Sequence, residues 1–199
     1  HDMQLHGLTH HCLEFGVPQP SIRRHAPQLF ESYEREKAKW DEGHTLEAQR
    51  RTVTEAVSCY REVFGEAPVI FRAPCLGMGD NAYRALAELG VKYSSSRSVN
   101  PAATGWVFTR RPELEPWQPD YDGNPFDPVP GCTEIPCLED LVISGFKDGE
   151  YGLILDLWKR EMRNYAMGLK PSQPGVFICH VQRIGQDIEK LSRMYGELF

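Results

Sequence analysis

His6 and His10 stand four residues apart in the stretch H-G-L-T-H, and four of the first eleven residues are histidines. On a helical turn or a tight loop that spacing brings two imidazoles onto one metal ion. The competing reading is a pair of loop histidines satisfied by their neighbours. No glutamate lies between them, so the HExxH arrangement of a zinc protease is absent. Arg72, in F-R-A-P at the end of the apolar run Pro68 to Phe71, and His180, inside the run Val176 to Val181, are the other residues suited to chemistry. A guanidinium at a strand end orients a carboxylate or joins a surface ion pair, and a histidine there is a proton donor or a hydrogen-bonded core residue. His1, His11, His25 and His44 are read as bystanders.

Alternating strands and helices must position these groups. Gln4 to His6 reads as the end of a short strand, and residues 16–27, with three prolines, read as irregular. From Thr45 to Phe64 apolar residues recur at helical spacing, with Gly65 as the stop. Pro68 to Phe71 is a buried-strand run, Asp80 is expected to cap a helix ending at Leu89-Gly90, and Val91 to Tyr93 forms a further strand. The period is lost from Ser94 to Gly131, where seven prolines accompany Trp106 and Trp117, so long loops are expected there. Thr133 to Cys137 and Val176 to Val181 read as strands, and residues 151–167 and 186–198 as helices. This order implies a parallel sheet, doubly wound or closed as a barrel, whose chemistry lies at the carboxyl ends of the strands.

The chain has 199 residues, 41% of them hydrophobic, enough for one domain spanning 1–199. A net charge of -6, with basic residues clustered only in pairs, argues against a nucleic acid partner. No apolar run is long enough for a membrane span. Six cysteines without a CxxC pair fit neither a disulfide scaffold nor a zinc knuckle and lean toward a reducing, cytoplasmic compartment. A signal peptide ahead of His1 would instead place the chain outside the cell.

Several motifs, in order, resemble those of the polysaccharide deacetylases, carbohydrate esterase family 4. H-D-M-Q-L-H-G-L-T-H is similar to the family's "GHEIGxHGxxH", and Gly65 to Pro74 (G-E-A-P-V-I-F-R-A-P) to "tGxxPxxFRaP". Ala85 to Ser96 is similar to "LxxxGyxyDSS", Glu134-Ile135-Pro136 to the "EiP" strand of one branch, and Ile178-Cys179-His180 with Ile184-Gly185 to "lxHPxxiG". Only residues 94–131 match poorly.

The resemblance implies a distorted (β/α) barrel whose first strand or strands lie outside this chain, and a hydrolase that removes an acyl group from an N-acylated amino sugar. It implies His6 and His10 as ligands of a divalent metal, Zn2+ being the expected ion, His180 as general acid, and Arg72 as the group that orients the catalytic carboxylate. Pro74 and Cys75 would bind substrate, Cys75 through its main-chain N–H, while Trp106 and Trp117, on long loops, are read either as packing residues or as substrate-binding faces for a sugar ring. The family's paired Asp-Asp, third ligand and base, has no counterpart among the 199 residues, and is expected ahead of His1. Cys75 stands where the family has an aromatic, Val181 where it has a proline, and Ser94-Ser95-Ser96 where acids are usual. Two alternatives remain: a hydrolase of another small amide, such as a formylated sugar or a ureide, and a carbohydrate-binding relative without activity. The oligomeric state is not legible.

Overall fold

Helix propensity, a single buried stripe and matched ends produce the longest helix near the site. The computed structural model describes residues 3–18, 27–98, 123–140, 148–168, 175–178 and 188–198. We number its helices α1 (Pro27–Arg35), α2 (Lys37–Gly43), α3 (Leu46–Phe64), α4 (Asp80–Glu88), α5 (Tyr151–Gly168) and α6 (Ile188–Leu198). The strands are β1 (Ile70–Phe71), β2 (Tyr93–Ser94), β3 (Phe126–Val129), β4 (Cys132–Glu134), β5 (Cys137–Asp140) and β6 (Val176–Ile178). On α3 the buried residues Ala48, Gln49, Val53, Ala56, Val57 and Tyr60 form one face, the spacing of a 3.6-residue period. The Thr45 hydroxyl accepts from Ala48 N at the start, and Gly65, at φ 76°, closes the end by donating to Arg61 O.

The next helix, α4, buries Ala82, Tyr83, Ala85 and Leu86. Its N-cap is Gly79 rather than the expected Asp80, which sits inside the first turn and acts there only through the helix dipole. Its exit is a Schellman closure: Gly90 N donates to Ala87 O at 3.1 Å and Val91 N to Leu86 O at 3.0 Å. Leu86 and Val91, both fully buried, supply the apolar contact that accompanies this motif.

A four-stranded sheet runs in the order β1-β2-β4-β3, with β1, β2 and β4 parallel and β3 antiparallel to β4. Leu5 extends it beyond β1 through a parallel bridge to Phe71. A separate parallel pair, β5-β6, is joined to the region after β2 by a bridge between Ser98 and Cys137. The architecture is mixed α/β with an open sheet; among the described residues the strands do not close into the expected barrel. The core packs α3 and α4 on this sheet, with Phe15 edge-to-face on Phe71 at 4.8 Å between ring centroids.

Three expectations need correction. The region read as one strand, Thr133 to Cys137, is β4 and β5 separated at Ile135-Pro136, because proline removes a ladder donor. Residues 126–134, partly assigned to loops, form a hairpin turned at Pro130-Gly131, with Gly131 at φ 90° as the turn requires. Pro27, assigned to an irregular stretch, starts α1, since proline is tolerated where the N–H has no helical partner.

Candidate functional site

Parallel pairing places the chemically interesting side chains together, because Leu5, β1 and β2 all end at the same edge. Leu5 N donates to Ile70 O at 3.3 Å and Arg72 N to Leu5 O at 3.0 Å, so His6 and Arg72 are the first residues beyond their strands. Ser95 N donates to Phe71 O at 3.0 Å, which brings Ser95 to the same edge. The Nδ1 atom of His6 lies 2.8 Å from Arg72 O. A carbonyl only accepts, so Nδ1 carries a proton and donates it to Arg72 O. The chain then reverses through Gly7, at φ 79°, and His10, at φ 60°, and the His6 and His10 rings meet edge-to-face with centroids 4.8 Å apart.

The segment after β1 is laced to this histidine loop. A Cβ on Gly7 would lie 2.9 Å from Pro74 Cγ, so only glycine fits beneath Pro74 without a shift. Phe15 pairs with Met78, and Gly79 N donates to Phe15 O at 2.9 Å. Cys75 and Leu76 both adopt positive φ, at 50° and 57°, a conformation that costs a non-glycine residue roughly 1–2 kcal/mol. A disulfide joins Cys12 to Cys75, with Cα atoms 4.9 Å apart. This pairing corrects the expectation of unpaired thiols and removes part of the ground for a reducing compartment. Cys132 does behave as expected, as a buried free thiol.

Beneath the edge lies a polar network. Arg72 Nη2 donates to Ser95 Oγ at 2.9 Å, and Ser96 Oγ accepts from Ala73 N at 2.9 Å. Glu134 is fully buried, and its Oε1 accepts from Ser96 N at 2.7 Å and Arg97 N at 2.8 Å, while Oε2 accepts from Tyr83 OH at 2.8 Å. A buried carboxylate is sustained when each oxygen is supplied with donors. Burial first, and the neighbouring Glu134 charge second, push the Tyr83 phenol well above its ordinary range, so it stays a donor. Glu134 thus fastens the Ser95 to Arg97 segment, and with it the hydroxyl that meets Arg72.

Of the residues singled out in the sequence, His6, His10, Arg72, Pro74 and Cys75 come together at one end of the sheet. His180, Trp106 and Trp117 lie outside the described residues. His11 turns aside: its ring stacks on Trp40 at 4.7 Å and its Nδ1 accepts from Leu13 N at 3.1 Å. His44 Nε2 donates to Leu13 O at 2.6 Å. Donation of its other N–H to a carbonyl is characteristic of a ligating histidine, so His6, with His10 beside it, could hold a metal. Among the described residues no group of three or more His, Cys, Asp or Glu is arranged to hold a metal. Two contributors escaped the sequence reading. Glu134 was seen only as part of a motif, though an acid inside an apolar strand signals a built partner. Glu14, whose carboxylate accepts from Thr9 N at 2.9 Å and Leu8 N at 3.3 Å, gave no local signal.

No family model matches the chain, and no curated protein matches it. Among solved structures, a protein from Mycobacterium smegmatis provisionally described as a polysaccharide deacetylase is similar, with 19% sequence identity and a TM-score of 0.48. The alignment covers 92% of this chain and 64% of that one, so the chain spans less than two thirds of its neighbour. A likeness of this degree bears on neither chemistry nor substrate.

Proposed function

We propose that this chain is a metal-dependent hydrolase of the polysaccharide deacetylase type, which removes an acyl group from an N-acylated amino sugar. The observation that carries the reading is the His6 and His10 pair, edge-to-face at 4.8 Å beyond the sheet's carboxyl edge, with His6 oriented by the Arg72 carbonyl. The ordered sequence motifs support it independently.

On this reading His6 and His10 hold a divalent metal, for which Zn2+ is the candidate. When bound, such an ion supplies Lewis acidity and lowers the pKa of a water. The chain's own residues do the rest. Arg72 is assigned to orient the catalytic carboxylate, Ser95 Oγ limiting the swing of its guanidinium. Pro74 and Cys75 form the wall nearest the histidine loop, and the Cys75 N–H is the donor assigned to the developing oxyanion. His180 is the assigned general acid for the departing amine. Trp106 and Trp117 are assigned to the faces of the sugar ring. The finer fold proposal, a barrel completed by further strands, belongs to the same reading.

Metal analysis and acetate release together test it. After loading with Zn2+, the chain should bind the ion, and His6→Ala and His10→Ala should each abolish binding while His11→Ala leaves it intact. In the complete enzyme that carries the paired Asp-Asp, acetate release from N-acetylated oligosaccharides should fall about 10²–10⁴-fold in His180→Ala with metal content unchanged, the ordinary worth of a positioned general acid. Undiminished metal in His6→Ala overturns the site. Activity confined to a formylated sugar or a ureide moves the substrate to another amide.

A further inference from the structure

The turn between the two histidines is strained and short, and its own residues do not explain why it holds. Gly7 and His10 both have positive φ, and His10 has no glycine's freedom to adopt it. Such a conformation persists only where surrounding contacts over-determine it. The side chain that meets the turn is Glu14. Its Oε1 accepts from Thr9 N at 2.9 Å, and its Oε2 lies 3.3 Å from both Leu8 N and Thr9 N. Two successive main-chain donors between the histidines thus converge on one carboxylate, a charge-assisted arrangement stronger than a neutral one.

Glu14 is itself firmly placed. Leu13 and Phe15 on either side are each 1% exposed, so the chain is anchored on both flanks. Glu14 N donates to His11 O at 3.0 Å, and Glu14 O accepts from Nε2 of the buried Gln49 on α3 at 3.0 Å. A Cβ at Gly7 would come 3.0 Å from Glu14 Oε2, so the carboxylate packs directly beneath the turn. The path from the core to the ligand pair therefore runs from Gln49 through Glu14 to Leu8 and Thr9.

We infer that Glu14 is a positioning residue for the histidine pair: its carboxylate clamps the Leu8 and Thr9 amides and thereby presets the convergence of His6 and His10 on a metal. Glu14 acts through the turn and is not itself a ligand. The inference rests on the metal-site reading of His6 and His10. Preorganisation cuts the ordering cost of binding, so its loss appears as weaker metal affinity rather than as loss of fold.

The test is competition for Zn2+ between the full chain and a chromogenic chelator, with Co2+ absorption as the spectroscopic readout of ligand geometry. Glu14→Ala should bind Zn2+ about 10–100-fold more weakly, the usual effect of removing a partner behind a ligand, and its Co2+ bands should shift. Glu14→Gln keeps an oxygen that accepts from the turn and should bind within about threefold of the parent. Glu14→Asp, one methylene shorter and still charged, should fall between them, and it decides the matter if Glu14→Ala does not fold. Parental affinity in Glu14→Ala or Glu14→Asp overturns the inference while the metal site stands, provided that His6→Ala has lost the ion. A Glu14→Gln variant as weak as Glu14→Ala overturns the hydrogen-bond role. Parental affinity in His6→Ala, or no Zn2+ binding by the parent chain, overturns both readings.

Discussion

Replacing Tyr83 by Phe removes one oxygen from the fully packed interior beneath the site and leaves the ring in place. Tyr83 is 1% exposed, Glu134 is 0% exposed, and their oxygens are 2.8 Å apart. A hydrogen bond to a charged acceptor contributes about 1.5–3 kcal/mol, so Tyr83→Phe should destabilise the fold by about 2 kcal/mol. Glu134→Ala orphans two buried donors, the Tyr83 hydroxyl and the Ser96 amide, and the half-buried Arg97 amide. At about 1–3 kcal/mol for each unsatisfied group, less what local relaxation recovers, the expected loss is about 4 kcal/mol. The two effects overlap, because one bond is counted in both. The double variant should therefore cost about 1–2 kcal/mol less than the sum. Urea unfolding at neutral pH, followed by both tryptophan fluorescence and circular dichroism, measures all three variants. A loss below about 0.5 kcal/mol for Tyr83→Phe, or strict additivity with Glu134→Ala, would refute the claim that this pair secures the segment behind Arg72.

Other outcomes follow from the same geometry. The Tyr83 phenol is raised by burial and Glu134, and burial likewise pushes the Cys132 thiol up from 9.0 to about 12. Both groups are neutral when protonated, so their stabilising contribution is complete below the unfolded values. It falls as pH rises, first from Cys132 above about 9 and then from Tyr83 above about 10, by up to about 1.4 kcal/mol per pH unit for each group, as urea midpoints across pH 7–11 should show. Cys12 and Cys75 should resist alkylation in denaturant until reduced, by peptide mass mapping, whereas Cys59 and Cys132 react at once. With its ends 63 positions apart in the chain, the crosslink should contribute about 4 kcal/mol by loop-closure entropy, so reductant should lower the unfolding midpoint. Gly77→Ala should destabilise by about 1–3 kcal/mol in thermal unfolding, since its Cβ meets the carbonyls of Cys12 and Gly16, whereas Gly43→Ala, with open space around it, should not.

Much of the scaffold was legible because it is written in local periodicity. The apolar face of α3, the hydroxyl of Thr45, the stop at Gly65 and the Gly90 exit of α4 are properties of residues within a few positions of one another. Helix formation depends on those separations, and so the pattern alone placed the helix ends nearly where they lie. The H-G-L-T-H spacing and F-R-A-P likewise named His6, His10 and Arg72 without any fold. Their meeting needed the parallel bridge of Leu5 to Phe71, which brings together residues 66 apart in the chain. Tertiary structure alone decided that His6 is oriented by the Arg72 carbonyl, that Cys12 reaches Cys75, and that Glu134 meets Tyr83 across 51 residues. The same holds for the Glu14 carboxylate, which sits only five residues from Thr9 but gains its direction from buried Leu13, Phe15 and Gln49. A side chain's partner across such distances is set by which faces the packed core brings opposite one another, and burial then demands that every polar group so enclosed be matched.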